Sequence, residues 1–415
     1  MLQDKNKDEI QKNPVCSVCG SKDIRTLIDL QTTPIAGEFL GQAKEREKYP
    51  LKVQICENCC HAELETKLEP ELLYGSSFSY VSSSSPGLEQ YFEYIIKLAN
   101  KKLNIDSLKS WLDIGSNDGL LLDIAHKNGF KTYGIEPSAT QAEQSKKKRI
   151  HNIENDYATD DAFEKLGEDS YKIISILNTL SNCINPMPIL AKAKEFLAED
   201  GIIFISTGEL DAICDGNIDY IYHEHNHYFS TSSIKAAADQ LSLEVRHLER
   251  TKQKGGSILV GLTNCGKKIN EEAAICDEDT YKSGEDYIDA ISKSIRKMEA
   301  IKTELKNQLK KWKGENRLIA CFGASQSTST LVHLLEIGEH VNCYVDDNAQ
   351  KLLTFSPEYN KPVISTEMLL SEASKGNLIG IVPGGWRFAE QWSTRHDLDS
   401  IKEIDIFEMY LNPRE

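Results

Sequence analysis

The stretch that decides the fold is Trp111-Leu112-Asp113-Ile114-Gly115-Ser116-Asn117-Asp118-Gly119. An apolar strand gives way to a turn with glycine at each end, and a helix begins behind it. Glycine lets a ligand approach the backbone closely. Twenty-one residues after Gly115, the segment Tyr133-Gly134-Ile135-Glu136-Pro137 ends the next strand on a carboxylate. That spacing places Glu136 to accept hydroxyl hydrogen bonds from a ribose.

Outward from this turn, LEQYFEYIIKLANKKL (88–103) reads as a helix, and KTYGIEP, YKIISIL and GIIFIST read as strands with helical runs between them. The alternation predicts a doubly wound α/β sheet of Rossmann type. SLEVRHLER and GGSILVGLT, joined by a Lys- and Gly-bearing turn, fit an antiparallel end of the same sheet. Residues 278–313 carry helical periodicity with a heavily charged face, the pattern of a solvated connecting helix. A second strand–turn–helix unit, RLIACFGASQSTSTLVHLL, followed by NCYVDD, predicts a smaller Rossmann-like domain at the C-terminal end. The expected division is 1–72, a small zinc-binding domain; 73–275, the central domain; and 276–415, the linking helix with the C-terminal domain. The charged residues 1–12 read as a frayed leader, and the Ser-rich run at 76–87 as a join or mobile loop.

Bulk properties set limits. The 415 residues are long for one core, and 40% apolar content is ample for packed interiors. A net charge of -16 argues against nonspecific nucleic-acid binding, which needs a basic face. No apolar run is long enough to span a bilayer and no signal peptide is evident, so no membrane partner and a cytoplasmic location are expected. Five of the 11 cysteines lie in the first 60 residues, which reads as metal ligation. Cys16 and Cys19 form one CxxC and Cys56 and Cys59 a second. Two such knuckles complete a tetrahedron around one structural zinc ion, with no open position for catalysis. Cys60 and His61 adjoin the second knuckle as spectators.

NAD and S-adenosylmethionine share the ribose logic of Glu136. The turn is GSNDG rather than GxGxxG, and Asp113 and Asp118 flank it. Carboxylates there repel a pyrophosphate but tolerate a sulfonium and an amine, so the cofactor expected at Asp113, Gly115, Ser116, Asn117, Asp118, Gly119 and Glu136 is S-adenosylmethionine. Farther along, Tyr222-His223-Glu224-His225-Asn226-His227-Tyr228 packs three histidines into five residues. In an extended segment Tyr222, Glu224 and Tyr228 face opposite the three histidines. Such a row suits acid–base work: removal of a proton beside a carbonyl, with Tyr or Glu neighbours orienting the base.

Together the pieces CSVCG, CENC, PIAGEFL, FSYVSSSSPG, WLDIGSNDG, GIEPS, YHEHNHYF and GGSILV resemble the three-domain, zinc-containing sugar C-methyltransferases of the tetronitrose type. The resemblance covers most of the chain. It implies a zinc-binding N-terminal domain, a central methyltransferase domain and a C-terminal domain that helps hold a sugar nucleotide. It implies His225 as base with Tyr222 and Glu224 beside it, Tyr80 at the substrate site, and Asn178 matching a family asparagine. The implied substrate is a nucleotide-linked 4-keto-6-deoxy sugar, deoxythymidine diphosphate-linked in the usual case and methylated at C3 during branched-sugar biosynthesis. The chain departs from the pattern at Asn182, where many relatives carry histidine, at FGASQSTST, which lacks a lysine after Gly-Ala, and at Arg387, where asparagine is usual. Those departures motivate a competing reading, a catalytically altered or inactive methyltransferase-like scaffold. An NAD-dependent oxidoreductase is the third, and neither glycine turn fits its fingerprint.

Overall fold

A computed structural model describes residues 10–12, 14–74, 80–85, 87–102, 110–148, 150, 152–168, 170–266, 274–275, 280–384 and 404–407. Arg387 and residues 1–9 of the leader lie outside the described residues, as does part of the Ser-rich run. The N-terminal part contributes β1 (Ile10–Lys12), β2 (Ile24–Thr33), β3 (Tyr49–Cys56), β4 (Ala62–Leu64), β5 (Thr66–Leu68) and a short α1 (Pro70–Tyr74). Residues 10–12 are thus not a frayed leader: β1 pairs antiparallel with β5, Ile10 opposite Leu68. Ladder hydrogen bonds order a segment whose charged sequence offers little to bury.

The central part follows in alternation: α2 (Leu88–Lys102), β6 (Ser110–Ile114), α3 (Leu120–Lys127), β7 (Lys131–Ile135), α4 (Ala139–Lys147), β8 (Ile153–Glu154), α5 (Asp160–Leu166), β9 (Tyr171–Leu177), α6 (Pro186–Glu195) and β10 (Leu197–Gly208). Then come α7 (Leu210–Cys214), β11 (His227–Tyr228), α8 (Thr231–Gln240), β12 (Leu243–Thr251), β13 (Ser257–Asn264) and β14 (Ala274–Ile275). Eight of these strands form one sheet in the order β14-β12-β13-β10-β9-β6-β7-β8. From β10 to β8 neighbours are parallel; β13 runs antiparallel to both β10 and β12, as the two late β-like runs led one to expect. Fully buried strands such as Tyr171–Leu177, apolar but for Lys172 and Ser175, are what a sheet covered on both faces requires. Strand order reverses between β6 and β9, so a crevice opens at the carboxyl ends of those two strands.

β11 does not belong to that sheet. It closes the N-terminal sheet, order β11-β4-β3-β2, with His227 opposite Glu63 and Tyr228 opposite Ala62. The long α9 (Gly284–Gly314) is charged outside, but Tyr287, Ile291, Leu305, Leu309 and Trp312 are buried, so it packs on one side where a solvated connector was expected. Behind it β15 (Leu318–Phe322), α10 (Gln326–Leu335), β16 (Cys343–Val345), β17 (Val363–Ile364), α11 (Thr366–Ser374), β18 (Ile379–Pro383) and β19 (Ile404–Ile406) make a parallel five-stranded sheet, order β17-β16-β15-β18-β19. Among the described residues, no helix is long and apolar enough to cross a membrane.

Candidate active site

Each cysteine knuckle is a tight turn. The amide of Gly20, at φ +72°, donates to the Cys16 carbonyl at 2.9 Å, and that of Cys60 to the Cys56 carbonyl at 3.0 Å. Sγ of Cys16 lies 3.6 Å from Sγ of Cys59, and Sγ of Cys19 lies 3.5 Å from Sγ of Cys56. All four sulfurs fall within 4.8 Å of one another. A zinc ion bonded to four thiolates sets its sulfurs about 3.8 Å apart, so the donor set fits that ion. Cys60 stays outside the group.

The crevice at the sheet's switch point is built by the β6 turn and the end of β7. Gly115 adopts φ +78°, and a Cβ there would lie 2.2 Å from Oγ1 of Thr179, so only glycine fits. Both oxygens of Glu136 accept backbone amides, from Asn117 at 2.7 Å and Ser138 at 2.8 Å. A carboxylate so held keeps spare lone pairs for two hydroxyl donors. Burial pushes the Glu136 carboxyl up, against those two amides. Burial also raises the Asp113 carboxyl, to about 7, although Ser175 donates to it at 2.6 Å. Ser116 is buried on the same turn, and Gly119 caps α3 at φ +75°.

Two members of the predicted set face partners of the chain's own. Asn117 accepts from the Ser82 amide at 2.8 Å and donates to the Tyr80 carbonyl at 3.3 Å. Asp118 pairs with Lys148 at 2.7 Å and also accepts from the Ser83 hydroxyl. The described part of the Ser-rich run therefore lies over the glycine turn rather than serving only as a join. Gln141, which donates to the Tyr80 carbonyl at 3.3 Å, joins this cover. Gln141 and Lys148 belong to no motif and sequence reading missed them; Ser82 and Ser83 lie in FSYVSSSSPG but were given no role.

The histidine-rich segment is not extended. The amide of His225 donates to the Tyr222 carbonyl at 2.9 Å, which closes a turn. The turn cancels strand alternation and brings Tyr222 and His225 together: the phenolic oxygen lies 3.1 Å from Nε2. Nδ1 sits 3.2 Å from the Tyr220 carbonyl, an acceptor, so the ring proton belongs on Nδ1 and Nε2 carries the lone pair. The other two histidines point elsewhere. His223 reaches the Tyr49 carbonyl at 3.3 Å, and His227 lies 3.0 Å from His61. Burial holds His223 down at about 4 and leaves it neutral.

Glu224 is buried, and burial pushes its carboxyl up to about 7. Oε1 accepts the Gly37 amide at 3.0 Å; Oε2 has no partner among the described residues. Glu224 lines a cleft of roughly 410 Å³, together with Gly37, Phe39, Arg46, Gln326 and Lys351. The cleft therefore joins the N-terminal part, the histidine turn and the start of α10. Lys351 donates to the Ala324 carbonyl and lies over the Phe39 ring at 5.4 Å, which puts an ammonium beside the FGAS turn that lacks its own lysine. Asn178 sits at the end of β9 with φ +55°, its Oδ1 buried without a partner among the described residues. Tyr80 lies under the Lys254 ammonium at 4.8 Å. Burial pushes its phenol up, but Lys254 and the Ser85 hydroxyl outweigh burial and leave it below its ordinary value.

A carboxylate-ended Rossmann-like crevice, a four-thiol knuckle pair and a second parallel sheet define a methyltransferase-type chain with two flanking parts. A methyltransferase domain model matches residues 88–248, a zinc binding domain model residues 16–74, and a C-methyltransferase C-terminal domain model residues 252–398. The chain thus carries, in order, matches to a zinc binding domain, a methyltransferase domain and a C-methyltransferase C-terminal domain. C-methyltransferase NovU of Streptomyces niveus is 25% identical over 264 residues, an alignment that spans 61% of this chain and 61% of that relative, less than two thirds of its length. Among solved structures, the CcbJ methyltransferase from Streptomyces caelestis matches at 13% identity and TM-score 0.35, covering 45% of this chain and 100% of that one. Magnesium protoporphyrin IX methyltransferase from Synechocystis PCC 6803, with bound SAH, matches at 13% and 0.35, covering 42% and 83%.

Proposed function

We propose that this chain is an S-adenosylmethionine-dependent C-methyltransferase acting at C3 of a nucleotide-linked 4-keto-6-deoxyhexose, in branched-sugar biosynthesis. The observation that carries the reading is the orientation of His225. Its Nδ1 is fixed by the Tyr220 carbonyl and its Nε2 meets the Tyr222 hydroxyl, so a neutral imidazole is held with its basic nitrogen aimed. In this reading His225 removes the proton at C3, and the electron pair moves onto the ketone oxygen. Protonated Glu224, a carboxyl that burial holds near 7, and Tyr222, whose hydroxyl proton is released once Nε2 has taken the C3 proton, stabilise that oxygen by donating to it. S-adenosylmethionine, when bound, supplies an electrophilic methyl group on a sulfonium. The C3 carbanion would take that methyl group, with the bonding pair left on the cofactor's sulfur, and His225 would pass the proton it holds to water.

Asp113, Gly115, Ser116, Asn117, Asp118, Gly119 and Glu136 form the cofactor crevice in this reading, with Glu136 on the ribose hydroxyls. Tyr80 and Asn178 stand at its substrate side. In this reading Lys44, Arg46 and Lys351, which line the cleft with Glu224 and alternate there with Glu38, Glu45 and Glu47, are the local cations for an anionic nucleotide on a chain of net charge -16. Cys16, Cys19, Cys56 and Cys59 hold a zinc ion that stabilises the N-terminal part. The functional units follow the limits 1–72, 73–275 and 276–415. The test is an exchange assay in deuterium oxide with thymidine-, guanosine- and uridine-linked 4-keto-6-deoxy sugars. Deuterium entering beside the ketone, then a mass gain of about 14 daltons (one CH2) once cofactor is added, is the expected result. Absence of both signals across the three nucleotides overturns the reading and favours the inactive scaffold.

A further inference from the structure

His61, Glu63 and His227 bring three ligand atoms within 4.8 Å of one another, all of them buried. Two imidazoles and a carboxylate at that spacing are a set that takes a divalent cation. A cation is already present. Nζ of Lys67 lies 2.6 Å from Oε2 of Glu63, 2.9 Å from the Ser17 hydroxyl, 2.9 Å from the Ile184 carbonyl and 3.3 Å from Nε2 of His227. Lys67 itself is 1% exposed. A buried ammonium needs a partner charge and acceptors for its three protons, and this cage supplies both.

The four groups come from four places in the chain. Ser17 lies between Cys16 and Cys19 of the first knuckle, and its amide donates to Oε1 of Glu63 at 2.9 Å. Glu63 is on β4, Ile184 follows β9, and His227 begins β11. β11 is two residues long and holds to β4 through two opposed pairs, with the Leu64 amide donating to the Asn226 carbonyl at 2.9 Å. So short a strand has little stability of its own. His225 lies two residues before it, on the turn whose geometry aims Nε2.

We infer that Lys67 is a positioning residue for His225: its ammonium, held between Glu63 and Nε2 of His227 beside the His61–Glu63–His227 cluster, supplies the cation that a metal ion would otherwise supply there and so pins the strand that carries the base to the cysteine-knuckle sheet. This rests on the reading of His225 as the base. Without the ammonium, Glu63 and His227 lose their common partner, β11 loosens on β4, and the His225 turn drifts. Displacement of a reacting group by about 1 Å costs on the order of 100-fold in rate, whereas the four zinc thiols are set by their own knuckle turns and touch the Lys67 site only through Ser17.

The test compares the full-length wild type with Lys67→Met, which keeps the stem and removes the charge. The readouts are zinc content, S-adenosylmethionine affinity by calorimetry, kcat and KM separately, and the rate of deuterium exchange into the keto-sugar. The expected result is one zinc per chain, cofactor affinity and KM within about threefold of wild type, and kcat and exchange both down by about tenfold or more. Lys67→Ala, which leaves room in the cage, is expected to take up a second equivalent of Zn2+ or Co2+ and recover part of kcat. Wild-type kcat in Lys67→Met, parallel loss of zinc and activity, or a Lys67→Ala chain that gains neither metal nor rate overturns the inference. The two readings separate cleanly. Exchange that survives His225→Ala sinks the base assignment, whereas a dead His225→Ala beside a fully active Lys67→Met sinks this inference alone.

Discussion

The Tyr222 hydroxyl lies 3.1 Å from Nε2 of His225, three residues along, because a turn and not a strand joins them. The pairing makes two substitutions informative. His225→Ala is expected to lower turnover by about 10²–10⁴-fold while zinc content and cofactor affinity stay unchanged. Tyr222→Phe, which keeps the ring and removes the donor, is expected to cost less, about 10-fold or more in kcat. Steady-state kinetics with a matched calorimetric titration checks both, and near-normal turnover in His225→Ala would falsify the base assignment.

Glu136 is held by two backbone amides, one on each carboxylate oxygen, so its position depends on both atoms being acceptors. Glu136→Gln replaces one acceptor oxygen with a donor, which opposes one of those backbone N–H groups and leaves one hydroxyl of a bound ribose unmatched. A charged hydrogen bond of this kind contributes about 1.5–3 kcal/mol, so the dissociation constant for S-adenosylmethionine should rise roughly 10- to 100-fold. Calorimetry reads it, and an unchanged constant would place the cofactor elsewhere.

The four cysteine sulfurs stand at distances that suit one tetrahedral ion. Elemental analysis should find one zinc per chain. Cys56→Ser should lose the ion and lower Tm, because metal affinity of this kind is folding free energy. A variant that stays metal-free yet melts like the wild type would reduce the cluster to four packed thiols.

Glu224 and Asp113 both have carboxyls raised to about 7 by burial, against ordinary values of 4.5 and 3.8. For each group the folded chain holds its proton more tightly than the unfolded chain does. The stability each contributes is full below the unfolded value and is lost as pH rises through about 7. Wild-type stability should therefore fall between about pH 4 and pH 7, by at most about 3–4 kcal/mol per group. Glu224→Gln should flatten part of that slope. Melting curves across the range decide it, and an identical slope in the variant would show that Glu224 titrates normally.

Much of this was legible in the residues. Apolar strands, glycine turns and helical periods predicted both Rossmann-like sheets, since local period and turn chemistry are properties of short windows. The antiparallel pair at 242–263 and the two CxxC knuckles were legible for the same reason. The histidine row was not. Alternation in Tyr222–Tyr228 looks like a strand, yet Tyr49, Ser181, Ile184 and Gly37, all far away in sequence, claim its side chains and amides and bend it.

What the sequence determined by itself was the list of chemical parts and the order of the layers, because spacing along the chain sets which groups share a turn or a face. What only the tertiary structure decided was their partners. Long-range pairing put β11 on the sheet of the cysteine knuckles, set His225 against Tyr222, and placed Lys67 between Glu63 and His227. Those choices rest on burial, where every polar group must find a partner and the nearest one in space is seldom the nearest in sequence.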